Sequence, residues 1–104
     1  MIERQWHGIT TVDNAERYIA HLEKDTFPKL KNLEGYLGAK VLRKTIANGN
    51  ISFLIVTCWE SIQKIEAFAG IDINTAVVPE VAQALLVSFD DTVSHYEVSQ
   101  THSP

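Results

Sequence analysis

The chain has 104 residues, of which 45% are hydrophobic and 21% are charged, and its formal net charge is −4. These values fit one globular domain and argue against a disordered chain. The nine Lys and Arg residues are scattered, so nucleic-acid binding is disfavoured. No signal peptide follows Met1 and no apolar stretch approaches about 18 residues, so we expect no membrane span and a cytoplasmic location. The lone Cys58 excludes an intramolecular disulfide and is interpreted as a small buried hydrophobe.

The first half of the chain predicts a strand, a helix and a second strand. Residues 2–9 are typical of a strand. Thr10, followed three residues later by Asp13, resembles a capping box before an amphipathic helix. Pro28 predicts a break or kink in this helix, because proline has no N–H to donate. A further turn ends at Gly35, and residues 36–46 alternate as a half-exposed strand.

The second half begins with Asn48-Gly49, a hairpin signal because both residues tolerate positive φ. The strand from Ile51 to Trp59 is apolar on both faces, and Ser61 then caps a helix that Gly70 ends. Pro79 is predicted to start a short helix over 80–86, and residues 92–98 a last strand. We expect a single domain over residues 1–100 and a frayed tail over 101–104.

This order of elements is the split βαβ arrangement of a ferredoxin-like α+β fold with a four-stranded antiparallel sheet. Two helices can cover only one face of such a sheet. A central strand that is apolar on both faces therefore predicts that a second copy of the chain covers the other face. The sequence thus predicts a homodimer.

Seven short motifs follow one another over residues 2–98: Trp6-His7-Gly8, Gly35-Tyr36-Leu37-Gly38, Trp59-Glu60-Ser61, Phe68-Ala69-Gly70 with Asp72, Ala76-Val77-Val78-Pro79, Phe89-Asp90 and His95-Tyr96-Glu97-Val98. Together they resemble the antibiotic biosynthesis monooxygenase-like proteins of the dimeric α+β barrel superfamily, in particular a subgroup of uncharacterised bacterial members. The resemblance implies a homodimeric barrel with a cavity between sheet and helices in each subunit. It also implies an oxygenase that oxidises an aromatic or quinol-type small molecule without metal or flavin.

Other relatives of this kind cleave haem, using an Asn on the first strand, a Trp that ends the third strand and a His on the next helix. Trp59 matches that Trp. The Asn position falls near Trp6 or His7, and the helix from Ser61 to Gly70 contains no His. Haem binding through His7 or His95 and a non-catalytic ligand-binding module are the alternative functions.

Cofactor-free oxygenation needs an apolar pocket, a base for the phenol or quinol, and donors for the oxyanion. His7 and His95 are the candidate bases, because pairing the first and last strands about their midpoints places them within one or two residues of each other. Two imidazoles make a poor metal site, so we expect no metal or other cofactor. The alternative is that both histidines are solvated or hydrogen-bonded within the barrel.

Aromatic and apolar residues complete the predicted site. Trp59 is a candidate catalytic residue and Trp6 could stack on a planar ligand, although both could be core residues. Phe53, Phe68 and Val78 are expected to contact the ligand, Val78 as part of a lid. Three tyrosines could donate to an oxyanion: Tyr18, Tyr36 and Tyr96. Alternation along a strand means that His95 and Tyr96 cannot both face one cavity.

Overall fold

The computed structural model describes all 104 residues. Strand β1 (Ile2–Thr10) is followed by helix α1 (Val12–His21), a π-helical turn (Leu22–Thr26) and helix α2 (Phe27–Lys31). Strands β2 (Tyr36–Thr45) and β3 (Ile51–Trp59) form a hairpin, and helix α3 (Ile62–Ala69) follows them. Helix α4 (Glu80–Gln83) and strands β4 (Leu86–Phe89) and β5 (Ser94–Glu97) complete the chain. None of the helices is long and apolar enough to cross a membrane.

Local signals account for most element ends. Asn48 and Gly49 in the β2–β3 turn both have positive φ, as the hairpin signal requires. Helix α1 is capped by Thr11, whose hydroxyl accepts from the backbone N–H of Asn14. The prediction of Thr10 as the cap is wrong by one residue, because the Thr10 hydroxyl instead donates to the Leu85 carbonyl from the end of β1.

The helical run does not end at Pro28, which lies in the first turn of α2. The π-helical turn immediately precedes α2, where wider backbone hydrogen bonds take up the extra residue. Pro28 has no N–H to donate, and it stands just after the π-helical turn, where the regular i→i−4 hydrogen bonding is already interrupted. The chain therefore stays helical from Val12 to Lys31.

The strands form one antiparallel sheet in the order β2-β3-β1, and both β4 and β5 pair with the free edge of β1. β4 pairs with Gly8–Thr10 and β5 with Ile2–Gln5. This is the ferredoxin-like order with the fourth strand divided in two. The predicted fold class is confirmed.

The boundaries predicted for the last elements need correction. The short helix ends at Gln83 rather than at residue 86, and the strand predicted over 92–98 is the second of two pieces. Residues between these pieces leave β1 and pair with the preceding loop, where Thr75 bridges Thr92 and Val93 N–H donates to the Asn74 carbonyl. Because a loop far back in the chain supplies this pairing, local sequence does not reveal it.

The helices pack on one face of the sheet, which we call the helix face. In β3 this face carries the odd-numbered residues, and two buried clusters form on it. One joins Phe53 to Tyr18 and Leu22 of the helical run. The other joins Trp59 to Leu30 and Ile65.

The opposite face, here called the outer face, carries the even-numbered residues of β3. Leu54 and Cys58 are half-exposed there. Cys58 is therefore not buried in the single chain, contrary to the interpretation from sequence. Leu42 pairs with Leu54 and is 47% exposed, and Tyr96 on β5 is 56% exposed. Apolar side chains are therefore exposed at two places on this face, and the polar outer-face residues of β1 lie between them.

Candidate functional site

A cavity of about 220 Å³ lies between the helix face of the sheet and the helical run. It is lined by 18 residues, of which 11 are hydrophobic. Its floor comes from β1 and β3, one wall from α1, the π-helical turn and α2, and the rest from Phe68 on α3, the segment 77–79, Ala82 and Val93. A small, mainly apolar space with few polar groups is the usual form of a small-molecule site.

Aromatic rings form much of the lining: Trp6, Tyr18, Phe27 and Phe68. Trp6 is fixed by its indole N–H, which donates to the Asp90 carbonyl at 2.8 Å. Tyr18 is 2% exposed, its ring packs against Phe53, and burial raises the pKa of its phenol. Tyr18 therefore remains a neutral hydrogen-bond donor at the cavity, as the sequence suggested for one of the tyrosines.

Arg4 brings a charge to the floor of the cavity. It lies on β1 two residues before Trp6, on the helix face, and is only 4% exposed. Its Nη1 donates to the Ile73 carbonyl at 2.5 Å, and its Nη2 to the Thr75 carbonyl at 3.0 Å. Its guanidinium lies 5.5 Å from the centre of the Phe68 ring, within cation–π range. Burial lowers the pKa of Arg4, and none of the four salt bridges in the structure includes it.

The helical wall supplies the other ionisable groups. His21 ends α1, and its side chain is 9% exposed. His21 Nε2 lies 3.4 Å from the Thr26 hydroxyl and 4.0 Å from Asp25 Oδ2, and Asp25 Oδ1 is 3.0 Å from Lys29 Nζ. All four side chains line the cavity. The π-helical turn lies between His21 and Lys29, and π-turns inside helices are frequent at functional sites.

The predicted ligand-contacting residues divide into two groups. Trp6, Phe68 and Val78 line the cavity. Phe53 and Trp59 do not, because both are 0% exposed beneath the helices. Trp59 packs on Tyr36 and Phe68, and its indole N–H donates to the Thr57 hydroxyl at 2.8 Å. The structure thus places Trp59 in the core rather than at the ligand.

His7 and His95 lie on opposite faces of the sheet, so the prediction that these two side chains lie close together is wrong. β5 is displaced toward the start of β1, and His95 is opposite Arg4 rather than His7. His95 Nε2 lies 3.0 Å from Arg4 Nη1, whereas His7 Nε2 lies 2.6 Å from the Ser52 hydroxyl on the outer face. Tyr96, opposite Glu3, also lies on the outer face. The parity argument that separated His95 from Tyr96 is therefore correct.

Sequence reasoning missed Arg4 and His21 as cavity residues. The signal for Arg4 was its even-numbered position on the first strand, which places this charged residue on the same strand face as Ile2 and Trp6. The signal for His21 was its spacing, because it lies three residues after Tyr18 and so near the buried stripe of the helix. Burial lowers the pKa of His95, and the positive charge of Arg4 lowers it further.

No protein-family model matches the chain, and no curated protein matches it in sequence. Solved structures do match its fold. A monooxygenase from the gene ActVA-Orf6 of Streptomyces coelicolor, in complex with nanaomycin D, superposes with a TM-score of 0.73 at 13% identity over 99% of this chain and 91% of that one. An antibiotic biosynthesis monooxygenase-like protein from Bacillus cereus gives 0.66 at 14% identity, covering 99% of this chain and 94% of that one.

The third structure is the haem degrader MhuD from Mycobacterium tuberculosis with two haems bound in its active site. It superposes with a TM-score of 0.61 at 17% identity, over 99% of this chain and the whole of the other. The resemblance to the antibiotic biosynthesis monooxygenase-like proteins is thus confirmed, and at these identities what the likeness shows is the fold.

Proposed function

We propose that this chain is a cofactor-independent monooxygenase that oxidises a small aromatic or quinol-type molecule in the helix-face cavity. The observation that carries the proposal is the cavity itself, in which one histidine, His21, lines a mainly apolar space with aromatic walls. The oxygenase among the fold relatives supports the reaction class. The apolar lining suits the exclusion of water that a reactive carbanion requires.

The proposed reaction begins when His21 removes a proton from a ring carbon that bears two hydrogens. Imidazole is the group that most often serves as a general base. The carbanion passes an electron to dioxygen, the two radicals combine to a peroxide anion, and this anion takes the proton back from His21 to give a hydroperoxide. Loss of water then leaves a carbonyl, so the CH₂ group and one dioxygen give a C=O group and one water. The substrate supplies all the electrons, and no reductant is consumed.

Neighbouring groups can stabilise the two charges that form in this reaction, one on His21 and one on the substrate. Asp25, 4.0 Å from His21 Nε2, is placed to stabilise the imidazolium that forms. Tyr18 is a neutral donor for a developing oxyanion. The roles first proposed for His95 and Trp59 become indirect, because His95 contacts Arg4 and Trp59 supports the Phe68 ring. His7 is proposed to act at the subunit interface rather than in the cavity.

Oxygen uptake tests this proposal. Purified protein is incubated with a panel of anthrones, whose central ring carries the required CH₂ group, and dioxygen consumption is compared with the rate without protein. His21→Gln is expected to lower the enzymatic rate about 100-fold or more, the usual contribution of a general base. His102→Gln, in the exposed tail, is the matched control and should leave the rate unchanged. An unchanged rate in His21→Gln removes His21 from the mechanism, and binding without uptake across the panel favours the non-catalytic module.

Two features of the cavity argue against haem. Its 220 Å³ is below the roughly 300 Å³ at which pockets for drug-sized ligands begin. Its one lining histidine already has Thr26 and Asp25 beside Nε2. Haem titration therefore should give no shifted Soret band, and a shift that is lost in His21→Gln would reverse this view.

We also propose that the outer face is the interface of a homodimer. Only 16 of the 104 residues are buried in the single chain, a small core for its length, and Leu42, Leu54 and Tyr96 lie uncovered on the outer face. A second copy that packs on this face about a twofold axis buries these side chains. Leu54→Glu is expected to convert a dimer to a monomer in sedimentation velocity, whereas Val81→Glu on α4 should not. A wild-type monomer at micromolar concentration contradicts the proposal.

A further inference from the structure

Arg4 places an uncompensated positive charge in the wall of the cavity. The guanidinium remains protonated in proteins, and burying a charge without a counter-ion is costly. Its partners in the chain are two carbonyl oxygens and one imidazole, all neutral acceptors. Such an arrangement is stabilised when an anion from outside the chain binds beside it.

The tautomer of His95 follows from the same contacts. Arginine can only donate, so the 3.0 Å contact between Arg4 Nη1 and His95 Nε2 requires that nitrogen to accept. His95 is therefore neutral, with its proton on Nδ1, and supplies no charge to Arg4. The lowered pKa of His95 agrees with this state.

The free donors of Arg4 have a defined geometry. Its three hydrogen bonds use Nη1 twice and Nη2 once. A guanidinium has five N–H groups, so Nε–H and one Nη2–H remain. Both remaining N–H groups belong to Nε and Nη2, the two nitrogens of one edge of the planar group, and this edge is the one that can receive both oxygens of a carboxylate.

We propose that Arg4 binds a carboxylate of the ligand through this edge, so that the ligand of the cavity is an aromatic carboxylic acid. The inference rests on the proposed function only in taking the cavity as the ligand site. A planar, singly charged, two-oxygen group matches one guanidinium edge, whereas a phosphate monoester carries nearly two charges and three acceptor oxygens. The aromatic lining, with Phe68 beside the guanidinium, receives the ring of the ligand.

A pair of ligands tests this with the unaltered protein. 4-Hydroxybenzoate and 4-hydroxybenzamide have nearly the same shape, but only the first is an anion at pH 7. We expect the acid to bind at least about tenfold more tightly in isothermal titration calorimetry, since a charge-assisted bidentate pair is lost with the amide. Equal affinity, or no binding of either compound, overturns the proposal.

Variants locate the effect. Arg4→Met should abolish the preference for the acid, and Arg4→Lys should keep only part of it, because lysine retains the charge but not the two-pronged edge. Arg17→Met, which removes a charge from the exposed side of α1, is the control and should keep the full preference. A full preference in Arg4→Met also overturns the proposal. If Arg4→Met does not fold, the ligand pair with the unaltered protein and the lysine variant still decide the question.

These outcomes are separable from those of oxygen uptake. Calorimetry measures binding with no turnover, so a strong preference for the acid without dioxygen consumption supports the Arg4 inference and contradicts the oxygenase. Oxygen uptake that depends on His21 with neutral anthrones, together with equal affinity for acid and amide, supports the oxygenase and contradicts the Arg4 inference.

Discussion

Substitution of Trp59 distinguishes a core role from the catalytic role that the sequence suggested. Its side chain is 0% exposed, its ring lies 5.4 Å from Tyr36 and 5.8 Å from Phe68, and its indole N–H is bonded to Thr57. Truncation of a fully buried Trp to Ala costs about 3–5 kcal/mol. A domain of this size has about 5–15 kcal/mol of stability, so Trp59→Ala should lose a large part of it.

Trp59→Phe should be much milder. It retains an aromatic ring in the cluster but removes the hydrogen bond to Thr57, which is worth about 1 kcal/mol, and part of the ring volume. We expect a total loss of about 1–2 kcal/mol, with ligand affinity unchanged. Trp6→Phe is the matched comparison and should show the opposite pattern, because Trp6 lines the cavity and is only partly buried.

Urea unfolding followed by far-UV circular dichroism measures these free energies. Protein concentration is held constant across variants, since the apparent stability of a dimer depends on it. A loss below about 1 kcal/mol for Trp59→Ala would refute the core assignment. Loss of oxygen uptake in Trp59→Phe at unchanged stability would restore the catalytic role.

Three further predictions concern single contacts. Thr11→Ala removes the cap of α1 and should lower the free energy of unfolding in urea by about 1 kcal/mol. The dependence of that free energy on urea concentration should not change. Gly35→Ala should cost about 1–3 kcal/mol, because Gly35 has φ +88° and an added Cβ would crowd the Lys64 side chain; an unchanged midpoint contradicts this. Because the pKa of His95 is lowered in the folded state, stability is retained above pH 6.5 and falls below it, since the unfolded chain takes up a proton on His95 that the folded chain, with Arg4 beside that ring, resists. His95→Gln should flatten that fall when the free energy of unfolding is measured between pH 5 and 8, and an equally steep fall in the variant would exclude His95 as its source.

The architecture was predictable because its signals are local or periodic. The Asn48-Gly49 turn fixes one hairpin, and the alternation along Ile51–Trp59 marks a strand with two apolar faces. Ser61 and Gly70 bound α3 within one residue of the sequence expectation. Each of these signals involves neighbours only a few positions apart, so no knowledge of distant pairing was needed.

The candidate site was predicted only in part. Trp6, Phe68 and Val78 line the cavity, and their contact with a ligand stays a prediction. The histidine pair was wrong, because its geometry depended on the register of the last strand. That register is set by residues 91–93, which leave the sheet to pair with the loop at 74–76.

The sequence alone determined the order of the elements, which residues of each strand share a face, and the need to cover a second face of the sheet. What only the tertiary structure decided was which side chains meet. Arg4 and His95 are 91 residues apart, and their contact depends on a divided strand that local propensity does not encode. Register between distant segments is a property of the whole packed chain, and it places Arg4 and His21 on the same cavity.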